Sequence, residues 1–138
     1  MKVVSVITAR GGSKEIPLKN IMDVGGQPLI SYSIKASLES NISETWVSTD
    51  NEMIAETSEK YGAQILWRPS EISQDTSSSE LSLLHFAENV DFDILVFIQP
   101  TSPMINADYI NKGIRLMGEY DSVFTVVEKH WLPTFDEN

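Results

Sequence analysis

The chain of 138 residues is long enough for about one domain, and it reads as a single unit over 1–138. Hydrophobic residues make up 41%, enough for a packed core, and the absence of cysteine excludes disulfides and thiolate metal sites and fits a reducing compartment. The formal net charge of -10 repels nucleic acid and anionic membranes, so neither is expected as a partner, and an anionic small substrate needs a local cationic pocket. Before Arg10 the N-terminus carries one cation, Lys2, and an apolar stretch too short for a signal peptide. No run approaches the ~20 apolar residues of a membrane span, and a soluble, cytoplasmic protein is expected.

In chain order, the apolar run Val3 to Thr8 reads as a buried strand. The polar segment Arg10 to Asn20 follows it, and Leu29, Ile30, Ile34 and Leu38 then repeat at helical spacing. Thr45 to Ser48 reads as a second strand, followed by a helix carrying Met53, Ile54, Ser58 and Tyr61. Asp50 closes that strand, where it either caps the helix beginning near Asn51 or faces a ligand. Gln64 to Trp67 is the third strand, and the serine-rich Gln74 to Glu80 leads into a helix marked by Leu81, Leu84 and His85 that ends near Val90. Ile94 to Ile98 is the fourth strand. The last helix carries Ile110, Ile114, Leu116 and Met117 with Asn106 as its N-cap, and Ser122 to Val127 reads as a fifth strand.

Short, non-alternating β-rich runs suit a parallel sheet covered on both faces. Strict alternation with helices implies right-handed βαβ units and an open, doubly wound, mainly parallel α/β sheet. Ligands of such sheets bind beyond the carboxyl ends of the strands, at a switch point. The segments after the first strand (Arg10 to Asn20), the second (Ser48-Thr49-Asp50) and the fourth (Gln99 to Pro103) are therefore expected to converge.

Arg10 to Asn20 is the segment richest in chemistry. Gly11 and Gly12 lack β-carbons, so their amides can approach phosphate oxygens, and Ser13 adds a hydroxyl. Arg10, Lys14 and Lys19 supply positive charge, and Pro17 stiffens the loop. The spacing matches neither the Walker A loop nor the dinucleotide Gly-x-Gly-x-x-Gly. The residues alone leave a phosphate-binding loop and an ordinary polar turn both open. Thr76 similarly reads as a helix cap or as part of a site. His85 and His130 have no evident nucleophile or metal partner and receive no catalytic role. Trp46 and Trp67 fall within strands and read as packing residues.

Ala9-Arg10-Gly11-Gly12-Ser13-Lys14 followed by Ile16-Pro17-Leu18-Lys19-Asn20-Ile21 resembles the signature loop of the sialic acid (CMP-N-acylneuraminate) cytidylyltransferases. Val47-Ser48-Thr49-Asp50, Arg68-Pro69-Ser70-Glu71 with Asp75-Thr76-Ser77-Ser78, and Gln99-Pro100-Thr101-Ser102-Pro103 agree in order and spacing. The resemblance implies a Rossmann-like nucleotidyltransferase fold and transfer of CMP from CTP to an acidic nine-carbon sugar, with Mg²⁺ assisting. It implies that Arg10, Gly11, Gly12, Ser13, Lys14 and Lys19 meet the triphosphate, with Arg10 and Lys19 in catalytic roles. Asn20, Arg68 and one of Ser77 or Ser78 would contact the nucleotide, and Gln99, Thr101 and Ser102 the sugar. Enzymes activating pseudaminic acid, legionaminic acid or 3-deoxy-manno-octulosonate are the nearest alternatives, and a nucleotide-binding module without catalysis is another. Glu15 stands where the family has glycine. Family members are longer, dimerise through a later extension and bind Mg²⁺ through paired aspartates. Residues 104–138 show no match to that pair, so the chain reads as an N-terminal portion of such an enzyme.

Overall fold

The computed structural model describes residues 2–9, 19–69, 79–99 and 106–116. The first strand, β1 (Val3–Thr8), has its first five residues buried. Its valines and isoleucine have rigid, branched side chains that pack well on a pleated surface. It is followed by a 3-10 turn, Lys19–Ile21, and a two-strand ribbon of β2 (Asp23–Val24) and β3 (Gln27–Pro28). The ribbon turns on Gly25 and Gly26, with φ of 63° and 91°. Positive φ at both central positions is the requirement of a type I′ hairpin turn. These pieces are absent from the sequence reading.

The remaining elements are α1 (Leu29–Leu38), β4 (Glu44–Thr49), α2 (Glu52–Lys60), β5 (Gln64–Trp67), α3 (Ser79–Asn89), β6 (Ile94–Ile98) and α4 (Ala107–Leu116). The expected strand over Ser122 to Val127 lies outside the described residues. The main sheet runs β5-β4-β1-β6, every pair parallel, with Thr8 beside Ser48, Thr49 beside Trp67 and Ile7 beside Ile98. From β1 the chain steps outward to β4 and β5, then crosses back to β6 on the far side of β1. This is the doubly wound sheet the alternation implies, with its reversal between β1 and β6.

The two sheet faces carry separate clusters. Val3, Ile7, Val47, Ile94, Val96 and Ile98 pack with Ile30 and Ile34 of α1, Ile54 of α2 and Ile110 of α4. Val4, Val6 and Phe97 point to the opposite face and pack with Phe86 of α3 and Val90 just after it. Phe86 meets Trp46 edge-on, ring centroids 6.0 Å apart at 76°, and stacks on Phe92 at 6.0 Å. The direction of strand travel reverses at α3 and so does the covered face, as a single crossover hand requires.

Helix α1 approaches the sheet through small residues. Ser31, Ser33 and Ser37 are fully buried and Ala36 nearly so. Ser37 Oγ lies 2.7 Å from Ser5 Oγ and 2.6 Å from Thr45 Oγ1, a hydroxyl chain joining α1 to β1 and β4. Helix α2 starts at Asn51, whose Oδ1 accepts from the Ile54 amide at 3.0 Å. The cap is thus Asn51 and not Asp50, because the extended backbone the cap needs falls one residue later (φ -117°, ψ 130°). At the other end the Ala63 amide donates to Ser58 O and the Gly62 amide to Glu59 O. With φ of 104° at Gly62, this is a Schellman ending. Asn106 caps α4 as expected, accepting from the Tyr109 amide at 3.1 Å.

Candidate active site

Each strand of the main sheet runs in the same direction, so all four carboxyl ends lie on one edge, where α1 and α2 begin. The ladders continue past the strands there: the Ala9 amide donates to Ser48 O at 2.9 Å and the Arg68 amide to Thr49 O at 3.1 Å. Ser33 Oγ, from the buried side of α1, donates to the Gln99 carbonyl at 3.3 Å. The ends of β1, β4, β5 and β6 are therefore joined to one another or to α1; most of the segments expected to converge there, residues 10–18 and 100–103, lie outside the described residues.

Lys19 and Asn20 reach this edge through the 3-10 turn. The Met22 amide donates to Lys19 O at 3.1 Å, and the Leu29 amide at the start of α1 donates to Met22 O at 2.8 Å. Ile21 packs into the core of the first face, which anchors the turn. Asn20 is buried, while Lys19 carries the charge at the start of the turn.

Arg68 lies just beyond β5 and is only 8% exposed, unusual for a guanidinium. Its Nη1 donates to Ser82 Oγ on α3, a residue itself buried. Alternation along β5 puts Leu66 and Arg68 on the α3 face, and Gln99 continues the α3-facing set of β6 after Phe97. Arg68 and Gln99 thus share one face just beyond the ends of β5 and β6, and the Lys19–Ile21 turn packs against α1 and α2 on the other. Arg10, Gly11, Gly12, Ser13, Lys14, Ser77, Ser78, Thr101 and Ser102 lie outside the described residues, as do Glu15 and Thr76.

Trp46 is a packing residue, as expected, and its Nε1 donates to Glu44 Oε1 at 2.9 Å. Trp67 is not: it is 54% exposed, because β5 is an edge strand and Trp67 is its last residue. His85 sits part-buried on α3 and its carbonyl accepts from Asn89 Nδ2 at 2.8 Å. Sequence reasoning missed Ser33 and Ser82, the partners of Gln99 and Arg68. The available signal was serine recurring within helical stripes that are otherwise apolar.

Among the described residues no group of three or more His, Cys, Asp or Glu side chains is placed to hold a metal ion. No helix among them is long and apolar enough to cross a membrane.

The open, all-parallel main sheet, with Arg68 and Gln99 at its carboxyl edge, is the architecture of a doubly wound α/β protein. Residues 4–130 match the family model described as cytidylyltransferase, and the chain belongs to that family. It is 42% identical over 130 residues to N-acylneuraminate cytidylyltransferase A of Danio rerio, covering 91% of this chain and 30% of that protein. It is 38% identical to the pseudaminic acid cytidylyltransferase of Campylobacter jejuni, covering 90% of this chain and 56% of that protein. Among solved structures it is similar to a CMP:2-keto-3-deoxy-manno-octonic acid synthetase complexed with CTP. The TM-score is 0.79 at 26% identity, over 88% of this chain and 49% of that one. The chain spans about a third of the length of the N-acylneuraminate relatives.

Proposed function

We propose that this chain is the nucleotide-binding half of a cytidylyltransferase that transfers CMP from CTP to an acidic nine-carbon sugar of the sialic acid type. The observation that supports the reading is a sheet whose carboxyl edge carries Arg68 and Gln99 on its α3 side and the Lys19–Asn20 turn beside the start of α1, in a chain whose relatives are named for this chemistry. In the reaction the anomeric hydroxyl oxygen of the sugar attacks the α-phosphorus. A new P–O bond forms, the bond from the α-phosphorus to the bridging oxygen breaks, pyrophosphate leaves and the hydroxyl proton passes to solvent. Catalysis of this kind rests on positioning and on neutralising charge at the phosphate oxygens.

Lys19, with Arg10 and Ser13, takes the triphosphate in this reading. Asn20 and Arg68 hold the nucleotide, and Gln99 faces the sugar. A pseudaminic or legionaminic acid acceptor is the second reading. It is favoured by relatives of those names, of which the chain covers 56% and 53% against 30% for the first N-acylneuraminate relative.

Thermal unfolding with CTP and with GTP tests the nucleotide half. A ligand bound only by the native state stabilises it by roughly 2.7 kcal/mol at a hundred times Kd. CTP is expected to raise the midpoint and GTP not. Equal responses remove the base-specific part, and an undiminished CTP response in Lys19→Ala removes the loop assignment.

A further inference from the structure

The ribbon β2–β3 joins the Lys19–Asn20 turn to α1, and its attachment is polar rather than apolar. Gln27 of β3, half-buried, presents its side-chain oxygen to α1. Lys35 Nζ donates to it at 2.6 Å, and Ser31 Oγ lies at 3.2 Å. Ser31 Oγ is also 2.6 Å from the Pro28 carbonyl. A hydroxyl has one proton, and the shorter contact takes it, so Lys35 is the main donor to Gln27. The same ammonium lies 5.5 Å from the centroid of the Tyr61 ring, which holds it from the far side. Tyr32 Oη donates to the Val24 carbonyl on the other strand of the ribbon. From the ribbon the connection runs through the Leu29 amide to Met22 O, and through the Met22 amide to Lys19 O.

We propose that Gln27, held by Lys35, is a positioning residue that fixes the Lys19–Asn20 turn against α1 and so sets where the turn meets a nucleotide triphosphate. The inference rests on the nucleotide reading above for its last clause only. The ribbon has two-residue strands and mostly exposed or half-buried side chains, so little apolar burial fixes it. A charged donor on a neutral acceptor is worth more than an ordinary hydrogen bond, and here it ties the turn to a helix with seven buried residues. Lys35 is thereby committed to structure, and among the described residues of the turn, ribbon and α1, Lys19 is the cation left for a ligand.

The test has two readouts on the same chain. In ligand-free protein, Gln27→Ala is expected to speed hydrogen exchange at the Met22 amide at least about tenfold while the amides in the middle of α1 keep their protection. In calorimetric titration, CTP should bind Gln27→Ala about tenfold more weakly, a loss near that of one charge-assisted hydrogen bond. Gln27→Glu keeps an accepting oxygen and should restore both values to within about twofold of wild type, which a merely structural position would not do. Lys35→Met removes the donor instead and should copy Gln27→Ala, keeping the test alive if that variant folds poorly. Unchanged Met22 exchange in both Gln27→Ala and Lys35→Met overturns the proposal, as does altered exchange with undiminished CTP affinity. If wild-type protein binds no CTP, the nucleotide reading falls and the positioning claim is decided on exchange alone.

Discussion

Asn51 and Asp50 are adjacent, both suited to capping, and only the backbone distinguishes them. The Asn51 side chain closes on the Ile54 amide, so Asn51→Ala should cost about 1 kcal/mol in urea unfolding. A neutral result would mean the α2 start is held by something else. Glu44 shows a different residue-level effect, at the edge of the sheet opposite the site. Trp46 Nε1 donates to its carboxylate, and Lys2 sits 3.2 Å away. The indole hydrogen bond first, then Lys2, holds its pKa below the ordinary glutamate value. A depressed carboxylate stabilises the fold above its unfolded pKa and loses that contribution as pH falls through the folded value. The window therefore lies at and below about pH 4.3. The group is part-exposed and screened, so the contribution is a few tenths of a kcal/mol. Glu44→Gln keeps an acceptor for the indole but not the charge. Its urea midpoint should fall slightly at pH 7 and match wild type near pH 3. A deficit of the same size at both values would rule out the charge as the cause.

At the scale of elements, α3 covers its face of the sheet alone among the described helices, and Phe86 is its fully buried contact. Phe86→Ala should cost about 3–5 kcal/mol, whereas Leu84→Ala, at an exposed position of the same helix, should stay within about 0.5 kcal/mol. Equal costs in chemical denaturation would mean α3 packs by another face. β1 and β6 were legible to the residue, because strands buried on both faces leave continuous apolar runs, and β5, though an edge strand, was bounded as expected over Gln64–Trp67. The β2–β3 ribbon was not, since strands of two residues are too short to show any period, and only Gly25-Gly26 marked it. Gly25→Ala meets both a φ of +63° and the Tyr32 hydroxyl 3.0 Å from the new β-carbon. For α1 the apolar stripe was visible but its serines were not recognised as buried. Side-chain hydroxyls become buried only when partners such as Ser5 and Thr45 arrive from distant strands. The site shows the same division. Lys19, Arg68 and Gln99 could be named from local sequence, while Ser82 and Ser33, which hold Arg68 and the Gln99 carbonyl, come from other elements.

The 138 residues carry a charge of -10, so under the proposed function a nucleotide triphosphate would meet repulsion on its approach. Raising salt from about 0.01 M to 0.1 M shortens the Debye length from about 30 Å to 10 Å, which weakens the distant repulsion more than contacts in the site. CTP association measured by stopped flow should accelerate over that range, and steady slowing from the lowest salt would show that local cations dominate at every distance. The strand order has a consequence for how the chain is made. β1 precedes the other strands of its sheet in the chain and lies inside that sheet, pairing Val4 with Glu44 on one side and Val3 with Ile94 on the other. As the chain leaves the ribosome, one edge of β1 can be paired once β4 emerges. Its other edge keeps open amide and carbonyl groups until β6 follows, long after β5. The most buried strand of the finished protein is thus the one longest at risk of pairing with a neighbouring nascent chain.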